Sequence, residues 1–142
     1  MIITGGCLCR AVRYRITAAP ITTRVCWCRL CQYLAAGSGT VNVCFPSDAV
    51  QFEGELRDFT GIADSGSTMH RRFCPVCGTQ MFSAAAERPH LVFVRAGTLD
   101  DRENARPAAT IWISQAPTWA SIDASLPKIE RQPPPAQPPP TR

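Results

Sequence analysis

Arg72-Phe73-Cys74-Pro75-Val76-Cys77-Gly78-Thr79 carries two thiols on a Cys-x-x-Cys-Gly turn, the spacing of a zinc knuckle. Such a turn aims both sulfurs to one side, and the glycine lets backbone N–H groups approach and hydrogen-bond them. Redox enzymes use the same spacing within a strand–helix–strand unit, followed by a helix. Neither feature is legible around Cys74. Structural zinc takes four tetrahedral ligands, commonly as pairs from two distant segments. The natural second pair is Cys7 and Cys9, in Gly5-Gly6-Cys7-Leu8-Cys9. Their pairing with Cys74 and Cys77 would staple the start of the chain to its middle.

A third group, Cys26-Trp27-Cys28-Arg29-Leu30-Cys31, differs in kind because it packs three thiols into six residues. Three ligands occupy one face of a metal ion and leave its fourth position open, the arrangement of catalytic zinc. The alternative is a site closed by Cys44, His70 or His90. Cys44 lies opposite Val41, Val43 and Phe45 on its strand, and a half-buried free thiol is its other reading. A lone histidine is more often a surface or hydrogen-bonded residue than a ligand.

Between the cysteines the chain alternates apolar and polar residues with the period of a strand. The alternation predicts strands over 12–16, 41–45, 50–52, 56–60, 68–73, 79–82, 91–95 and 110–113. On their common faces, Val41, Val43, Phe45, Phe73, Phe82, Val92, Val94, Ile111 and Ile113 are the expected core. Helical periodicity is confined to 30–36 and 118–124. The expected fold is therefore mainly β, with short antiparallel sheets meeting around zinc sites and little helix.

A chain of 142 residues is the size of one domain. Seven of its 13 prolines fall between Pro127 and Arg142, and proline runs favour polyproline II over a packed core. The expected boundaries are a zinc-binding domain over 1–129 and a solvated, disordered tail over 130–142. The formal charge is +4, spread without a basic run, and filled thiolate sites would bring it to about +1. No nucleic-acid partner is expected. The N-terminus has no charged and apolar leader pattern, and no apolar run is long enough to span a bilayer. A cytoplasmic location is expected, where eight cysteines are better explained as metal ligands than as disulfides.

Taken together, Gly6-Cys7-Leu8-Cys9 with Ala11-Val12-Arg13-Tyr14, the cluster Cys26 to Cys31, and Arg72 to Thr79 resemble the glutathione-dependent formaldehyde-activating (GFA, or CENP-V/GFA) family. Ala96-Gly97-Thr98-Leu99-Asp100, Arg106-Pro107-Ala108 and Ile111-Trp112 are also similar to that family's C-terminal part, so the resemblance covers roughly residues 4–126. It implies an Mss4-like β-tent with structural zinc on Cys7, Cys9, Cys74 and Cys77 and active-site zinc on Cys26, Cys28 and Cys31. It also implies a carbon–sulfur lyase that joins glutathione or a similar thiol to formaldehyde or a related aldehyde as an S-hydroxymethyl adduct.

Three positions depart from the family's habit. Trp27 stands where histidine is frequent, Gln32 where a basic residue is, and Arg10 where glycine is usual. Trp27, Arg29 and Arg72 are the candidate substrate-binding residues, with Arg71 beside them, because a guanidinium suits the carboxylates of glutathione. The competing reading is a non-catalytic zinc module for a protein or nucleic-acid partner. Closure of the second site by Cys44, or a deep basic patch, would favour it.

Overall fold

The computed structural model describes residues 1–137. Its described part is mainly β, with ten strands and one short α-helix. A small sheet is made by β1 (Ile3–Gly6), β2 (Arg13–Ile16) and β5 (Val50–Glu53), in the order β1-β2-β5. The larger sheet adds β3 (Thr22–Cys26), β4 (Thr40–Pro46), β6 (Arg57–Ile62), β7 (Thr68–Phe73), β8 (Gln80–Ala85), β9 (Leu91–Arg95) and β10 (Ala109–Ile111). Its order is β10-β3-β4-β9-β8-β7-β6. Pairing is antiparallel except at β10, which runs parallel to β3 and sets Ile111 beside Cys26.

The core lies between the sheets. Val12, just before β2, and Tyr14 and Ile16 of the small sheet pack on Val43, Phe45, Met81, Phe82 and Val94 of the large one. Tyr14 meets Phe82 edge-on at 5.4 Å between ring centroids, and its hydroxyl lies 2.8 Å from Thr98 Oγ1. At Gly5 a Cβ atom would stand 2.3 Å from the Thr98 carbonyl oxygen, so only glycine lets β1 approach this closely. Of the expected core residues, Val43, Phe45, Phe82, Val92, Val94 and Ile111 are buried. Val41, Phe73 and Ile113 are half-buried.

Period two found eight of the ten strands and missed β1 and β3. β1 ends in two glycines with no side chain to show a face, and in β3 threonines break the apolar alternation. The helix expected over 30–36 is α1 (Arg29–Leu34), whereas 118–124 contains turns and irregular backbone instead of a helix.

The described part of the tail expected to be solvated beyond residue 129 is mostly exposed and has neither helix nor strand, but it touches the large sheet at several points. Ser114 N–H donates to the Glu130 carbonyl at 3.2 Å, Trp112 N–H donates to that of Arg131 at 3.3 Å, and Ala136 is buried against Cys44 and Leu91. The reason lies in β4, where Asn42, Val43, Cys44 and Phe45 are all buried. One face of that strand meets the small sheet, and on the other Ala136 packs with Leu91, Ile21 and Phe93 around Cys44. Residues 138–142, the end of the expected tail, lie outside the described residues.

Candidate metal centres and the adjoining cavity

Cys7 and Cys9 sit in the turn between β1 and β2, and Cys74 and Cys77 in the turn between β7 and β8. Their four sulfurs lie within 4.8 Å of one another. Cys7 and Cys9 sulfurs are 3.6 Å apart, and Cys9 and Cys74 sulfurs 3.7 Å. Tetrahedral ligands at a zinc–sulfur distance of about 2.3 Å stand about 3.8 Å apart, so the spacing fits. Val12 N–H donates to Cys7 Sγ at 3.2 Å. The Thr79 hydroxyl, 3.1 Å from Cys77 Sγ, leads the contacts that pull that thiol down to about 5. The turns also need left-handed backbone, which Gly78 supplies at φ 75° and Arg10 at φ 67°. Arg10 thus occupies, at a steric cost, a conformation that suits glycine.

The second group is assembled locally. Cys26 ends β3, Cys28 caps α1 by accepting from Cys31 N–H at 3.4 Å, and Cys31 lies in the first turn. All three thiols are buried, lie within 4.8 Å of one another, and pack against Ile111 and Trp112. Cys31 is pulled well below the ordinary thiol range because Cys26 and Cys28 donate to it. Cys26 is pushed up in return by Cys28 and then Cys31. Metal binding draws protons from such a donor set.

Cys44 does not join this group. It sits four residues along β4 from Thr40, the partner of Cys26, which is about 13 Å of strand. Burial raises its thiol to about 11. His70 lies elsewhere, with Nδ1 2.7 Å from Asp58, and His90 is exposed. Among the described residues the second group therefore has three protein ligands.

A cavity of about 270 Å³ adjoins Cys26 and Cys28 on the face of the large sheet turned away from the main core. Arg24, Arg71, Arg88 and Arg95 line it, and Gln132, Pro133, Pro135 and Ala136 form part of its wall. Arg71 is only 4% exposed. The ion pairs among the described residues are Arg13–Asp100, His70–Asp58 and Arg106–Glu103, and none uses a cavity arginine. Among the described residues, Asp64 at the rim is the cavity's only carboxylate. Arg95 Nη1 donates to Asn42 Oδ1, but its buried Nε has no partner among the described residues. Burial lowers the pKa of Arg71, and negative charge on Cys31 and Cys28 opposes that shift.

Of the substrate residues expected from sequence, Arg71 lines this cavity, whereas Trp27, Arg29 and Arg72 lie outside it. Trp27 is buried away from the cavity with its indole N–H unpartnered. The exposed Arg29 lies over the Tyr33 ring and donates to Gln32. Arg72 points into a different cavity with His70, because neighbouring strand residues face opposite ways. That same alternation puts Arg71, beside it, at the thiols. Arg24, Arg88 and Arg95 escaped sequence reading because they come from separate strands and a loop, with no shared spacing.

These features define a class: a mainly β protein with one four-thiolate and one three-thiolate site, each able to hold a metal ion. Comparison with known proteins narrows it. The family described as glutathione-dependent formaldehyde-activating enzyme matches residues 2–115, and the chain belongs to that family. A Halomonas elongata protein named "Putative glutathione-dependent formaldehyde-activating enzyme" is 25% identical over 133 residues, covering 87% of this chain and 83% of that protein. A crystal structure of a Rhodobacter sphaeroides protein superposes with a TM-score of 0.55 at 18% identity, over 68% of this chain and 87% of that one. That likeness bears on the fold alone.

Proposed function

We propose that the chain is a zinc-dependent enzyme that forms or cleaves the adduct between a small thiol, such as glutathione, and a small aldehyde, such as formaldehyde. The observation that carries the reading is the three-thiol group, which has three protein ligands among the described residues and borders a cavity lined with arginines. Family membership supports the substrate class. Cys7, Cys9, Cys74 and Cys77 are the structural ligands in this reading, and Cys26, Cys28 and Cys31 hold the reactive ion. Zinc at the second group supplies a Lewis acid that favours thiolate over thiol and polarises a carbonyl oxygen.

The chain's own residues provide the rest. Arg71 and Arg95 pair with the carboxylates of the thiol substrate, a match for which guanidinium donors are suited. Trp112 and Ile111 shield the sulfurs from water. In the net reaction a carbon–sulfur bond forms while the thiol proton passes to the aldehyde oxygen, and cleavage reverses both transfers. Of the two features that would favour the rival binding-module reading, Cys44 stands apart from the second site, and the clustered arginines line a cavity of about 270 Å³ that suits a small molecule.

The test is exchange spectroscopy with ¹³C-formaldehyde and glutathione on the zinc-loaded protein. Acceleration of adduct exchange over the uncatalysed rate is expected, with its loss in Cys28→Ser. Arg71→Met should raise KM for glutathione roughly tenfold, the worth of one charge-assisted hydrogen bond, while leaving 2-mercaptoethanol unaffected. Exchange at the uncatalysed rate in the wild-type protein would reject the enzyme.

A further inference from the structure

The C-terminal segment follows the sheet from the three-thiol group to Cys44. At one end Trp112, buried against the thiols, holds it: the indole N–H donates to Gln132 Oε1 at 2.9 Å, and the backbone N–H donates to the Arg131 carbonyl. Trp112 makes this bridge from a left-handed backbone, φ 58° and ψ 35°. At the other end Ala136 is buried between Cys44 and Leu91. Four residues of polyproline II span about 12 Å. This is close to the run of β4 from Thr40 to Cys44, about 13 Å for four residues at roughly 3.3 Å each. Pro133, Pro134 and Pro135 bring no N–H that a docked segment would have to satisfy.

We infer that Gln132–Ala136 is a strap that sets the size of thiol the site accepts, an inference that rests on the thiol-binding reading above. With the strap in place the cavity is about 270 Å³, just below the range of about 300–1,000 Å³ typical for drug-sized ligands. A two-carbon thiol enters under the strap, whereas a tripeptide thiol must lift it. Lifting breaks the indole–Gln132 bond and exposes the seat of Ala136. The strap-open population thus scales the affinity for the larger thiol and leaves that for the smaller unchanged.

The experiment is calorimetry of glutathione and 2-mercaptoethanol, without aldehyde, on the zinc-loaded full-length chain. Gln132→Ala removes the indole bond and leaves the backbone bond to Arg131, and Gln132→Ala/Ala136→Trp also overfills the seat beside Cys44. Affinity for glutathione should rise about tenfold in the double variant and about threefold in Gln132→Ala. Affinity for 2-mercaptoethanol should hold constant in both. The Trp112 backbone N–H keeps its acceptor, the Arg131 carbonyl, in both variants, so its exchange reports release of the strap's anchored end independently of binding; Gln132 is itself exposed, so Gln132→Ala stands alone should the double variant fold poorly. An unchanged ratio of the two affinities, despite faster exchange of that backbone N–H, would overturn the strap and leave the thiol site standing. Binding of neither thiol by any form, with metal content intact, would defeat the thiol site itself and the strap with it.

Discussion

Replacing Cys74 by serine removes one of four sulfurs from a site that ties the β1–β2 turn to the β7–β8 turn. The cross-link from Cys9 to Cys74 closes 65 residues of chain. By the chain-entropy relation for a covalent bridge, a loop of that length is worth about 4 kcal/mol, and the short Cys26–Cys31 loop about 2 kcal/mol. The contrast is larger than this difference. Three thiols within six residues keep part of their metal affinity in the unfolded chain, so their ion favours the folded state less. The distant pairs meet only after folding, and their binding free energy is folding free energy. Against a domain stability of about 5–15 kcal/mol, Cys74→Ser should leave the protein unfolded or insoluble. Cys28→Ser should stay folded, because Cys28 caps α1 through its side chain and serine caps a helix at least as well. It should lose about one zinc of two. Circular dichroism, urea midpoints and metal content of both variants provide the assay. Equal unfolding of the two, or a folded Cys74→Ser with normal midpoint, would refute the division of labour.

Two further outcomes follow from local structure. Cys44→Ser should keep the full metal content while losing about 1–3 kcal/mol of stability in denaturant, since it puts a hydroxyl into a fully buried apolar seat; loss of metal would make Cys44 a ligand. Arg10→Gly should raise the urea midpoint by an amount equivalent to at most about 1 kcal/mol, the left-handed penalty at φ 67° less the entropy that glycine costs. A lowered midpoint would show that the arginine side chain contributes more than its backbone costs.

Spacing alone made both thiol groups legible, because sulfur ligands must converge on one ion whatever surrounds them. Cys-x-x-Cys-Gly and the three thiols of Cys26 to Cys31 are local geometry, and the four-ligand requirement of structural zinc paired Cys7 and Cys9 with Cys74 and Cys77. Alternation likewise revealed most strands, since a half-buried strand has to segregate its side chains with period two. Tertiary structure decided the cavity. Arg24, Arg71 and Arg95 become neighbours only when β3, β7 and β9 join one sheet, and which of Arg71 and Arg72 faces the thiols depends on the register of β7 within that sheet. The last eight described residues show the same limit: their composition reads as a solvated proline tail, yet the uncovered face of β4 gives Ala136 an apolar seat. Composition reports what a segment can bury by itself, whereas docking depends on what another segment has left exposed.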